Sequence, residues 1–215
     1  FGDAGDSFGA AEAARIATAA NRLAGPGHRI ALAGAMLSAG LDAEAEALLA
    51  GVEAAGNVTP DQRRAIAQLR AGLAVRTSDR LNAAGNQAQG FEALRPVLSG
   101  DPANADANLA LARLFQGARQ PAEALRVAEA VLQRDPRNAE ARAGAIQAAI
   151  SAGDRQRAES LLREAQALAP RDARTLVLEA RVARGFGDET RARALLEQAQ
   201  AQRQAELGLP ALPQA

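Results

Sequence analysis

The sequence predicts an all-α chain built as a solenoid of antiparallel helix pairs, and three observations carry that prediction. Ala and Leu dominate the apolar content while aromatic residues make up only 2%, a balance that favours helix over strand. Pro102, Pro136 and Pro170 recur every 34 residues, as do Ala124, Ala158 and Ala192. Gly153 and Gly187 keep the same spacing of 34, and Gly85 lies two periods before Gly153.

Each recurring residue has a physical reason for its place. The Gly falls between two helices, where a left-handed backbone costs least without a Cβ. Asp154 and Asp188 follow it, placed to cap the second helix. The Ala lies where the two helices of one repeat cross, so a larger side chain would push them apart. The Pro ends the second helix because it cannot extend the hydrogen-bond ladder. Between these marks the apolar residues recur at helical spacing. Leu111, Leu114 and Phe115 mark one first helix, and Leu125, Ala128 and Leu132 its partner. Leu161, Leu162, Ala165 and Leu168 mark the next, and Leu195, Leu196 and Ala199 the one after. No stretch shows strand alternation.

A 34-residue period of helix, turn, helix and Pro resembles the tetratricopeptide repeat, over about residues 70–206. That family's aromatic near the end of the first helix is present once, as Phe115; Ala149 and Ala183 take its place in the next two repeats, which predicts lighter packing there.

Taken in order, helices are expected near 7–24, 26–39, 42–55, 60–84, 87–99, 104–117, 121–134, 138–152, 155–168, 172–185 and 188–206. The first reads as the second half of a repeat. Pro26 to Asn57 reads as one full repeat, with Leu32, Met36, Gly40, Ala45 and Leu49 in the expected places. The register then breaks: Gly40 and Gly85 are equivalent turn glycines yet lie 45 apart, 11 more than the period. Eleven residues are about three helical turns, or ~16 Å. Thr59-Pro60-Asp61-Gln62 has the form of a helix start, with Thr as cap, Pro in the first turn and Gln three residues on. Thr59 therefore reads as a cap rather than as part of a glycosylation sequon. Two outcomes follow: one long helix over 60–84, or a break near Gly72 into an unpaired helix and a normal one. Pro96 lies inside the helix 87–99 and predicts a kink. The domain reading is N-terminal repeats over 1–58, a long inserted helix and possible hinge over 59–85, C-terminal repeats over 86–206, and a Pro-containing linker tail over 207–215.

The 25 basic and 25 acidic residues balance, so no long-range attraction to nucleic acid or an anionic membrane is expected. All the basic residues are Arg. With no Cys, disulfides and thiolate metal sites are excluded. No apolar run approaches the ~20 residues of a membrane helix. The chain begins at Phe1 without Met or a signal peptide, and a piece of a longer protein is the expectation.

No catalytic, metal or cofactor site is expected. The single His28 reads as a surface residue beside a Gly-Pro-Gly turn. No Ser or Asp is placed with a base, and the carboxylates read as partners of Arg three or four residues away. Attention therefore turns to the first helix of each repeat, which lines the concave surface in the family the repeat resembles. The inward polar positions would be Asp79, Asn82, Arg113, Gln116, Gln147, Arg181 and Arg184, a mildly basic strip suited to an extended peptide backbone or sugar hydroxyls. The same strip reads equally well as a solvated face. The absence of Lys rejects a chaperone-tail clamp, and the scarcity of aromatics argues against tight glucan binding.

Three segments carry a narrower resemblance. Gly72-Leu73-Ala74-Val75-Arg76 with Asp79-Arg80-Leu81 and Ala84-Gly85, then Phe91-Glu92-Ala93-Leu94-Arg95-Pro96-Val97-Leu98, then Asn108 through Gln116, resemble the tetratricopeptide-repeat region of the bacterial cellulose synthase operon protein C family. The resemblance implies a periplasmic, non-catalytic scaffold in cellulose or exopolysaccharide export. Its partners would be other synthase or export subunits, or peptidoglycan, with weak glucan contact at most. The parent chain would be held in the outer membrane by a C-terminal barrel, with no membrane insertion by the repeats. The rival readings are a general peptide-binding adaptor in the cytosol and a carboxylate-based sugar hydrolase.

Overall fold

The structure, a computed structural model, describes residues 25–170 and 172–207. The expected helix near 7–24 and nearly all of the tail 207–215 lie outside the described residues. Among the described residues there are ten helices and no strand: α1 (Pro26–Ser38), α2 (Asp42–Ala54), α3 (Pro60–Ala83), α4 (Gln87–Gly100), α5 (Ala105–Gly117), α6 (Pro121–Arg134), α7 (Ala139–Ser151), α8 (Arg155–Leu168), α9 (Ala173–Gly185) and α10 (Glu189–Glu206). Of the two readings of the insertion, the single long helix is the one adopted: α3 runs through Gly72 without a break. The α4 helix likewise continues past Pro96 to Gly100.

The helix ends follow local chemistry. At the start of α3 the Thr59 N–H donates to Gln62 Oε1 (3.0 Å) and the Gln62 N–H donates back to Thr59 Oγ1 (3.2 Å), a complete capping box. Gly40, Gly85, Gly153 and Gly187 take φ of 77°, 78°, 73° and 91°, the left-handed conformation that ends the first helix of a pair. Asp154 and Asp188 accept from the N–H groups of Arg157 (2.9 Å) and Arg191 (3.0 Å). A second set of caps, also spaced by 34 residues, opens the first helices. Asn104 and Asn138 accept from Ala107 (3.0 Å) and Ala141 (2.8 Å), and Asp172 from Arg174 (2.8 Å). The turns that open α5, α7 and α9 are then closed by a side chain reaching back six residues. Asn108 donates to the Pro102 carbonyl (3.0 Å), Arg142 to that of Pro136 (2.6 Å) and Thr175 to that of Ala169 (3.0 Å).

The chain divides into two compact units, with the border at Thr77 and Ser78. In the first, Ile30, Ala33, Met36 and Leu37 of α1 meet Leu48, Leu49 and Val52 of α2 and Ile66 of α3. Arg70 fixes α3 against α2 by donating to Glu46 (2.7 Å) and Glu53 (2.8 Å). Arg76 donates to the Leu37 carbonyl (2.7 Å) and to Asp42 (2.9 Å), closing the α1–α2 turn.

In the second unit the core is layered from Leu109, Val127, Val131, Ile146 and Leu161 with many Ala. Ala124, Ala158 and Ala192 are fully enclosed, as their place at a helix crossing requires. Gly90 holds the same register place in α4. A Cβ there would stand 2.6 Å from Leu114 and 3.3 Å from the Ser78 carbonyl. Two apolar positions depart from the periodic expectation. Leu168, the last residue of α8, is 50% exposed and Leu196 of α10 is 36% exposed. Periodicity assigns a face, but burial also needs a neighbouring helix opposite that face.

Candidate binding groove

The first helices of the second unit stack their polar residues in register. Asp79, Arg113, Gln147 and Arg181 are one period of 34 apart; Asn82, Gln116 and Arg184 keep a second register, in which the apolar Ile150 takes the place between the last two. The structure brings Asn82, Arg113, Gln116, Gln147 and Arg181 to the walls of one open cavity of about 460 Å³. Its floor is apolar and small: Leu109 and Ala112 from α5, Ala143 and Gly144 from α7.

The lining groups are not equivalent. Arg113 is locked: Nε and Nη2 donate to the two oxygens of Asp79 (2.8 and 2.9 Å), and Nη1 donates to Glu140 (2.8 Å). Burial works against its charge, but the hydrogen bonds and attraction from Asp79 and Glu140 outweigh it and hold its pKa above the ordinary value. Asp79 thus acts behind the wall. Asn82 is also engaged, donating to the Arg113 carbonyl (2.9 Å) and accepting from Gln87 (3.3 Å). It staples the end of α3 to α5, against Gly117, where a Cβ would stand only 2.1 Å from Asn82 Oδ1.

The other groups keep unspent capacity. Gln116 Nε2 is buried and has no hydrogen-bond partner. Gln147 Nε2 makes one long bond, 3.4 Å, to Ser151. Arg181 is exposed and, among the described residues, forms no ion pair. Arg184 stands apart from the cavity, 3.7 Å from Glu189. Sequence reasoning missed Glu140 and Gly144. Glu140 lies about two helical turns before Gln147 on the same helix, and Gly144 carries no polar group to attract notice.

A second cavity of about 340 Å³ lies among α8, α9 and the start of α10. Most of its charge is already spent internally: Arg191 pairs with Glu179 (2.7 Å), Gln166 donates to Glu179 (3.0 Å), and Arg155 lies 4.5 Å over the Phe186 ring. Among the described residues no group of three or more His, Cys, Asp or Glu stands close enough to hold a metal ion. His28 is exposed on the first turn of α1. No described helix is long and apolar enough to cross a membrane.

The tetratricopeptide repeat family matches residues 115–182. Cellulose synthase operon protein C of Komagataeibacter sucrofermentans is 36% identical over 133 residues, covering 59% of this chain and 10% of that protein. The protein of the same name from Xanthomonas axonopodis pv. citri is 38% identical over 99 residues, 46% of this chain and 6% of that one. The chain thus spans about a tenth of the length of the relatives first matched. Among solved structures, a tetratricopeptide repeat protein from Parabacteroides merdae superposes with a TM-score of 0.63 at 16% identity, over 94% of this chain and 75% of that one. The fold is therefore a tetratricopeptide-repeat solenoid, an architecture that typically serves as a non-catalytic scaffold for protein contacts.

Proposed function

We propose that this chain is a section of a periplasmic scaffold that joins protein components of cellulose or related exopolysaccharide synthesis and export. The observation that carries the reading is the 36% identity to cellulose synthase operon protein C, which extends over 133 residues. The groove supports it physically. Its apolar floor and spaced amides suit an extended polypeptide better than a sugar chain, since no aromatic ring lines it for stacking on a pyranose face. In this reading the parent chain is anchored in the outer membrane by a C-terminal barrel, and the repeats reach synthase or export subunits, or peptidoglycan, in the periplasm.

The test is a pulldown from the envelope of cellulose-producing cells with this chain as bait, read by mass spectrometry. Enrichment of synthase or export subunits is expected, with loss of that enrichment when Gly144→Leu fills the groove. Envelope extracts that yield none of those subunits would remove the export assignment and leave the repeat scaffold alone. Fractionation of the parent chain to the cytosol would remove the periplasmic placement.

A further inference from the structure

We infer that the groove seats an acidic side chain of an extended partner peptide in the notch above Gly144, with Arg181 as its counter-charge. This rests on the groove being the docking surface proposed above and names the chemistry it selects.

The cavity wall holds one cation that no described carboxylate answers. Two donor groups on its wall keep capacity that a ligand can reach: the Arg181 guanidinium and the weakly engaged Gln147 Nε2. The carboxylate on the cavity wall, Glu140, is already committed to Arg113 (2.8 Å), and Asp79 holds the other side of the same guanidinium. The Arg113 charge is therefore answered twice, while no described carboxylate answers that of Arg181. A carboxylate supplies what this arrangement lacks: two acceptor oxygens and one negative charge. A basic ligand group would be repelled by Arg181 and would find the one carboxylate on the wall, Glu140, already paired with Arg113.

Space and surroundings agree. A Cβ added at Gly144 meets no atom within 4 Å, whereas one at Gly185 would stand 2.4 Å from Ile150. Gly144 therefore does not serve close helix packing; it opens the floor of the cavity. Leu109, Ala112 and Ala143 around it are apolar, which strengthens a charge pair formed at its rim.

The experiment uses the full chain and a degenerate library of capped peptides of about nine residues, long enough to cross the groove in extended form. Asp or Glu should be enriched at one position. A capped peptide carrying Glu there should bind about tenfold more tightly than its Gln counterpart, the ratio one charge-assisted hydrogen bond supplies. Arg181→Gln should abolish that ratio, and Arg184→Gln, outside the cavity, should keep it. Gly144→Leu should block both peptides while raising or preserving thermal stability, which separates an occupied groove from a damaged fold. Equal binding of the Glu and Gln peptides, binding that requires a free C-terminal carboxylate, or an acid preference that survives Arg181→Gln would each overturn the inference. Synthase or export subunits that bind Arg181→Gln normally but not Gly144→Leu would leave the scaffold reading standing and remove only the acidic selection.

Discussion

The turn from α5 to α6 and the turn from α7 to α8 perform the same task one period apart with different chemistry. In the second, Gly153 takes φ 73° and Asp154 caps the following helix by accepting from Arg157 N–H (2.9 Å). In the first, the left-handed place is held by Arg119 at φ 57°, and Gln120 makes no side-chain cap. Yet the backbone bonds are the same. Arg119 N–H donates to Gln116 O (3.0 Å) and Gln120 N–H to Phe115 O (2.8 Å), as Gly153 does to Ile150 O (3.0 Å) and Asp154 to Ala149 O (2.9 Å). Because a residue poorly suited to the conformation adopts it, glycine is not what imposes the turn. The helix crossing beneath it, at Ala124 in one repeat and Ala158 in the other, imposes it. The one compensation visible in the α5–α6 turn is Pro121, whose fixed φ prepares the first turn of α6.

If packing governs, the largest effect should come from the crossing and not from the turn. Ala158 is 0% exposed. Ala158→Leu should destabilise the chain by about 3 kcal/mol, the upper end of the range for overfilling a tight core. Urea unfolding followed by circular dichroism measures it. A loss smaller than that caused by changing the turn residues would reverse the ranking and give the turns the leading role.

The turns themselves should respond in opposite directions. Arg119→Gly removes a left-handed residue with a Cβ and should stabilise by about 1 kcal/mol, while Gly153→Arg should cost about as much. The Arg119 residue is exposed, so its replacement leaves no buried gap. A neutral Arg119→Gly beside a costly Gly153→Arg would break the comparison, because the two turns would then differ in how much strain they hold.

The same two turns mark what the sequence could disclose. The helices, the enclosed Ala residues and the capping box at Thr59 were legible because each follows from period or from short-range chemistry. Arg119 was marked only by its register, one period from Gly85 and one from Gly153, since an Arg gives no sign of a left-handed backbone by its type. Leu168 and Leu196 belong by period to the apolar faces, but their exposure depends on which helix lies opposite. The groove was legible as one polar strip drawn from the first helices of successive repeats. Which members were free was not: Asn82 is spent on the Arg113 carbonyl and Gln87, and Arg113 on Asp79 and on Glu140 from the next repeat. The Asp79–Arg113 pair keeps the period of 34, but the Arg113–Glu140 and Asn82–Arg113 bonds join residues 27 and 31 positions apart, a separation that matches neither the helical turn nor the repeat.

The smallest expected effect lies in the cap that the α5–α6 turn lacks. Gln120→Asp would place at α6 the carboxylate that Asp154 and Asp188 provide at α8 and α10. Its acceptor would meet the Glu123 N–H, the counterpart of Arg157 N–H, and its charge would complement the helix N-terminus. A full cap is worth about 1 kcal/mol. The gain here should be about half of that by the same scale, because Glu123 already puts an acidic side chain in the first turn of α6 and repels a second one. Slower amide exchange at Glu123 together with a small rise in the urea midpoint would show the cap forming. Unchanged exchange at Glu123 would mean that Pro121 already holds the first turn as firmly as a cap can, and the two turns would then be equivalent solutions rather than a strong and a weak one.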